Sequence, residues 1–310
     1  MVRSLLSMLW LLPLLCGPAA AQADGGKTAV LELARKGWVY ELRSSMMRPV
    51  RGRALPRIDA RSLRGARLCL LGEAPHPVTL DVIEQFSALL ELTFGQPLRL
   101  DDAVDPAGCA GEPVVLRLFS DRSPDIAYNS DLERLDTEFA IGLPRRRRHF
   151  VATPAQAQTF FGELGQATHI LVMQPEVETE PADLTLQFHV SILIEELYQA
   201  FTFGMDVLLF DRTRKPISKL QEYPLHLRGL SWRSDAYMAG LLSSNPRGLC
   251  AFDVLMLHAL GESDLERTNS SELIVYIDEN YTRLTERMRE TLALPSLSTI
   301  LDPDCAALPR

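Results

Sequence analysis

The sequence predicts an α/β or α+β fold, a small mixed sheet flanked by helices, and three observations carry that expectation. Short runs of branched apolar residues alternate along the chain with longer segments whose apolar residues recur at helical spacing. At 310 residues and 46% hydrophobic content, the chain is long enough to bury a substantial core without staples. No internal repeat or low-complexity tract interrupts it.

The first residues read as a secretory signal. Arg3 supplies the positive start, Leu5 to Leu15 the apolar run, and Ala19-Ala20-Ala21 or Ala21-Gln22-Ala23 the small-residue cleavage site. The run falls short of the roughly 20 residues a spanning helix needs, and Pro13 interrupts it. Cys16 follows Leu14-Leu15 rather than the small residue of a lipidation signal. Residues 1–23 are therefore expected to be removed as a signal peptide, leaving a periplasmic or secreted protein; a retained anchor and a lipidated Cys16 are the lesser alternatives. Residues 24–60 read as a loosely held amino-terminal arm, with a short strand from Gly37 to Leu42 and then an arginine-rich segment with Pro49 and Pro56. A single domain is expected over 61–310, with two lobes, 61–165 and 166–310, as the alternative division.

Within that domain, Arg67 to Leu71 is a short apolar strand and Gly72 to Pro77 a turn. Val78 to Phe94 follows with helical spacing through Val82, Ile83, Phe86, Leu89 and Leu90, and Gly95 stands where a helix C-cap belongs. Val114 to Phe119, rich in branched residues, reads as a core strand. Ser120 to Pro144 is a polar stretch that leads into Arg145-Arg146-Arg147-Arg148. That run has the charge to grip an anionic polymer, but no aromatic residue is interleaved with it, so a solvated loop is expected. Thr168 to Gln174 is a second apolar strand. Thr185 to Phe201 is the most regular pattern, with Val190, Leu193, Ile194, Leu197 and Phe201 on one helical face and His189, Glu195, Glu196 and Gln199 largely elsewhere. Those polar residues keep the segment from being a membrane span, so no transmembrane segment is expected in the mature chain. Val207 to Phe210 is a short apolar run, and Ala251 to Leu260 is a helix. Ser271 to Leu292 is a final helix with Leu273, Ile277, Tyr281, Leu284 and Met288 as its buried stripe.

The formal net charge is −8, and loss of Arg3 with the signal makes it one unit more negative, which argues against nucleic acid as a partner. Cleavage would also remove one of five cysteines and leave Cys69, Cys109, Cys250 and Cys305. An even number in an exported chain implies two disulfides. Three connectivities are open; Cys69 with Cys109 and Cys250 with Cys305 is preferred, because each pair closes a loop within one half.

The chain has no G-x-S-x-G elbow, no Walker loop and no G-x-G-x-x-G fingerprint. Its histidines, at 76, 149, 169, 189, 226 and 258, never stand four apart on a helix, so neither a histidine-rich metal site nor any other cofactor is expected. Chemistry concentrates at Glu195-Glu196-Leu197-Tyr198-Gln199. In the H-E-x-x-H frame of zinc peptidases, two imidazoles one turn apart share a metal and the glutamate activates its water. Here Glu195 and Gln199 fall at the ligand positions and Glu196 at the base position, and glutamine is a poor zinc ligand.

This segment, with Gly204, Asp206 and the later Arg247 to Asp253, resembles a bacterial family of exported proteins of unknown function that is itself similar to degenerate zincin peptidases. The resemblance covers mainly Leu184 to Leu260. It implies a sheet packed against a motif-bearing, zincin-like helix, and a pseudoenzyme without a metal. Three readings of the helix stand side by side: solvated carboxylates with a structural Gln199; a cleft in which Glu195, Glu196 and Gln199 bind a protein or peptide partner; and a hydrolase with Glu196 as its catalytic carboxylate. The last pairs Glu196 with Asp206 or Asp253, or recruits His189 or His226 to a metal. A triad of Ser231, His258 and Asp253 is a further arrangement without local support. Asn269-Ser270-Ser271 and Asn280-Tyr281-Thr282 match the glycosylation pattern.

Overall fold

The computed structural model describes residues 19–41, 57–101, 106–144, 148–178 and 180–308. Residues 1–18, which hold most of the expected signal peptide, the arginine-rich segment up to residue 56 and Arg145 to Arg147 lie outside the described residues. Five strands, β1 (Arg67–Gly72), β2 (Arg99–Asp101), β3 (Val114–Phe119), β4 (Ala155–Gly162) and β5 (Gly165–Met173), form one mixed sheet. Its order is β2-β1-β3-β5-β4, with every pairing parallel except β4 with β5. Among the described residues seven α-helices accompany it: α1 (Ala19–Trp38), α2 (Pro77–Phe94), α3 (Asp125–Phe139), α4 (Asp183–Thr202), α5 (Asp235–Leu242), α6 (Ala251–Glu262) and α7 (Ser271–Leu292). A pair of two-residue strands, β6 (Val207–Leu208) and β7 (Gln221–Glu222), runs parallel beside α4.

Both faces of the sheet are covered, which explains why its central strands read as continuous apolar runs. Strand alternation sends Leu68, Leu70, Val114, Leu116 and Leu118 into the main core with α2, α4 and α6. The alternate residues Cys69, Leu71 and Val115 enter a smaller cluster with Leu135 of α3. Cys69 and Cys109 form a disulfide within that cluster, and Cys250 and Cys305 form the second, each with Cα atoms 5.6 Å apart. No helix of the described residues is long and apolar enough to cross a membrane.

The elements start and stop where their chemistry directs. His76 caps α2 through Nδ1, which accepts from Val78 N at 3.2 Å, and Gly95 ends the helix at φ 77°. Asp253 closes a capping box on α6, accepting from Cys250 N at 2.7 Å. Gly261 lets α6 approach α2 closely, since a Cβ there would stand 2.0 Å from the Thr93 carbonyl oxygen.

Three segments differ from the sequence expectation. Gly37 and Trp38 end a helix rather than open a strand, and Val39 to Glu41 continue irregularly. The helix bearing them is no loose arm: it packs on α7, burying Val30, Leu33, Ala34 and Trp38, with Lys27 paired to Asp278 at 2.5 Å. The polar stretch after Ser120 contains α3, a helix that buries Tyr128, Leu132 and Leu135 on one side and is charged elsewhere. Strand β4 was hidden because its residues are only half-buried, so no apolar alternation announces it. Gly162 pairs with Gly165 across the turn between β4 and β5; a division at residue 165 would therefore cut a hairpin, and the two halves share one sheet.

Candidate functional site

Helix α4 lies against β4 and β5 and is buried nearly all round from Phe188 to Thr202. Its C-terminus is locked in place from a distance. Phe203 caps it in the left-handed region at φ 56°, donating N–H to the Gln199 carbonyl at 2.8 Å. Trp38 Nε1 donates to the Thr202 carbonyl at 3.0 Å, Tyr40 Oη to that of Phe203 at 2.9 Å, and Met205 N to that of Gly37 at 2.9 Å. Residue 204 must be glycine here, because a Cβ would stand 2.6 Å from the Trp38 ring and 2.5 Å from Leu220. The end of α1 thus fixes the loop that carries Asp206.

The motif residues are not solvated. Glu195 is half-buried, and its Oε2 accepts from Asn245 Nδ2 at 2.7 Å and pairs with Lys219 Nζ at 3.0 Å. Lys219 is fully buried, and its Nζ also donates to Ser191 Oγ at 2.8 Å and to the Pro246 carbonyl at 2.7 Å. An ammonium has three protons to donate, and these three oxygens match them.

Asp253, at the start of α6, accepts from Lys219 N at 2.7 Å and from Ser218 Oγ at 2.5 Å. Its capping role therefore also pins the turn that aims Lys219 at α4. Burial lifts the Asp253 carboxyl to about 6, although these hydrogen bonds hold it down in part.

Glu196 is 9% exposed, and its Oε2 has no hydrogen-bond partner among the described residues. Burial first, then the charges of Glu195 and Asp206, push its carboxyl well above the ordinary range, with a partial offset from the Ala157 N–H of β4. Gln199 donates Nε2–H to Asp206 Oδ1 at 2.5 Å. Asp206 presents its outer surface to solvent, yet protein crowds its carboxyl: desolvation, Glu195 and Glu222 push it up to about 7. Desolvation and Glu195 raise Glu222 as well. Four carboxyls thus share one neighbourhood, and Lys219 is the cation set among them.

Other sequence candidates fall elsewhere. His189 is buried between Thr79 Oγ1 at 2.8 Å and the Met173 carbonyl at 2.9 Å, and burial lowers it to about 4. His258 bonds to Thr291 and Glu262, while Asp253 is committed to the turn at Ser218; no triad with Ser231 forms. Asn269 is buried, donating to the Tyr40 carbonyl at 2.8 Å, so the folded protein hides that glycosylation pattern. Among the described residues, no group of three or more histidine, cysteine, aspartate or glutamate side chains is arranged to hold a metal ion.

Lys219 was invisible to sequence reading. Its partners Glu195, Ser191, Pro246 and Asp253 stand 24 to 34 residues away, and nothing local marks it. Compared with protein families, curated proteins and solved structures, the chain has no match.

Proposed function

We propose that this is an exported, non-catalytic binding protein that uses the region around the motif helix to hold a protein or peptide partner in the cell envelope or beyond it. The observation that carries this reading is Lys219. Its buried ammonium takes up Glu195 with Ser191 and the Pro246 carbonyl, while Gln199 is committed to Asp206. The two positions that would ligate a metal in a zinc peptidase are therefore engaged within the protein, and a helix so engaged acts as a scaffold. The edge of the sheet beside it suits a polypeptide. Pro154 O accepts from Met173 N, so the ladder alternates to leave the backbone groups of Thr159 and Phe161 directed away from β5, while the equally outward Ala157 N–H is taken by Glu196. Outward groups on an edge strand are a ready template for an added strand.

One observation favours a second reading, hydrolysis by Glu196: a buried carboxyl held protonated is the form a general acid takes. The variant Glu196→Gln separates the two. Gln is nearly isosteric with a protonated Glu, so a binder should keep its fold, its stability to within about 0.5 kcal/mol and its cellular phenotype. Loss of phenotype in a folded Glu196→Gln protein, or near-stoichiometric zinc in protein purified from its native compartment without chelators, would overturn the binding reading.

A further inference from the structure

The segment that follows α4 presents an unusual face. Along β6 and at the residue after it, Val207 N donates to the Leu220 carbonyl and Leu209 N to that of Glu222, both at 2.8 Å. Residues 207 and 209 are thereby turned to β7, and period-two alternation puts the side chains of Asp206, Leu208 and Phe210 together on the opposite face from theirs. Leu208 is paired in register with Glu222, which brings that carboxylate to the same face. The exposures agree: Leu208 is 50% and Phe210 76% exposed, and Met205 beside them 53%. Large apolar side chains left together in water mark interaction surfaces more often than single ones do.

Carboxylates gather at this face. Asp206 and Glu222 stand on it, and Glu195 lies close enough to raise both. Lys219 is already saturated by Ser191, Pro246 and Glu195 and has no proton left for Asp206 or Glu222. The face therefore combines exposed apolar side chains with carboxylates short of a counter-charge.

Resting on the binding reading above, the geometry points to the chemistry of the partner: an extended polypeptide segment that alternates basic and apolar side chains, laid across Asp206, Leu208, Phe210 and Glu222. Its lysine or arginine groups pair with Asp206 and Glu222, and its apolar side chains cover Leu208 and Phe210. Relief of carboxylate crowding favours this partner over a neutral one, because a cation stabilises the ionised form of each acid it approaches.

The test uses the whole mature protein and three fluorescein-labelled dodecapeptides of alternating leucine with lysine, with glutamine or with glutamate, read by fluorescence anisotropy at pH 7.5. The lysine peptide is expected to bind at least tenfold more tightly than the glutamine peptide, and the glutamate peptide more weakly still. Asp206→Asn with Glu222→Gln should abolish the preference for lysine. Leu208→Ser with Phe210→Ser should weaken lysine and glutamine peptides alike by about tenfold. Glu272→Gln with Glu279→Gln, an equal change of charge on the exposed face of α7, should leave the preference intact, and circular dichroism checks that each variant is folded. Equal binding of lysine and glutamine peptides overturns this inference while leaving the binding reading in place. Equal loss of preference in the α7 variant overturns it too, in favour of attraction by net charge. No binding of any peptide overturns both.

Discussion

Two buried polar clusters lie on opposite faces of the same sheet, and they are built on opposite principles. Beneath α3, Arg117 meets Asp131 through two hydrogen bonds of 2.5 and 2.8 Å, and His169 Nε2 adds a third at 2.9 Å. Burial would lift the Asp131 carboxyl, but Arg117 and His169 more than offset it and hold it below the ordinary range. Burial lowers His169, so the charges reduce to one cation and one anion. Beneath α4, Lys219 is the cation among Glu195, Glu196, Asp206 and Glu222, and three of those carboxyls are pushed up. The first cluster is balanced and sealed. The second gathers four carboxyls around one cation and opens to solvent at Asp206.

The largest expected effect breaks the balanced side. Asp131→Ala strands the Arg117 guanidinium in the interior and should cost about 3–5 kcal/mol in urea denaturation. Exchanging Arg117 and Asp131 together for Met and Leu should recover most of that loss, since an apolar replacement leaves no uncompensated charge. A single variant with a loss below about 1 kcal/mol would mean that water reaches the cluster.

On the acidic side, Lys219→Met should cost somewhat less, about 2–4 kcal/mol, because Glu195 is only half-buried and keeps Asn245. Adding Glu195→Gln should return at least half of it, and a double-mutant cycle measures the coupling. Additive losses would show that Lys219 and Glu195 do not stabilise each other.

The smallest effect is a matter of sign. A carboxyl raised in the folded state contributes stability at low pH and loses it as pH rises through the folded value. For Asp206 that window runs from its ordinary 3.8 to about 7. Asp206→Asn should therefore stabilise the protein at pH 8 by about 1 kcal/mol, a figure discounted for its exposure to solvent, with the gain fading towards pH 4. Asp131 behaves oppositely: its lowered carboxyl contributes above the ordinary value and loses that contribution as pH falls. Urea midpoints at pH 4.5 and 8 decide the matter, and a gain independent of pH would show that Asp206 is not crowded.

Much of the scaffold was legible because its signals are local. Helix α7 was read at Ser271 to Leu292, where it stands, since its apolar stripe repeats every three or four residues. Helices α2, α4 and α6 were legible for the same reason, and strands β1 and β3 because each is a short continuous apolar run. The end of helix α1 was not, because Trp38 and Tyr40 resemble strand residues until α4, α6 and the Thr202 loop give them partners. A helix wheel puts Glu196 and His189 off the apolar stripe of α4, yet they face β4, β5 and α2, because a second layer covers that polar side.

The sequence by itself determined the alternation of strands and helices, the cysteine inventory and the acidic motif, because each is written in residues a few positions apart. The tertiary structure alone decided which charges meet. Lys219 reaches Glu195, and Asp206 and Glu222 come to share a face, only after the chain closes separations of 24 and 16 residues. Electrostatic energy depends on distance and on burial, and neither is fixed until the chain has folded.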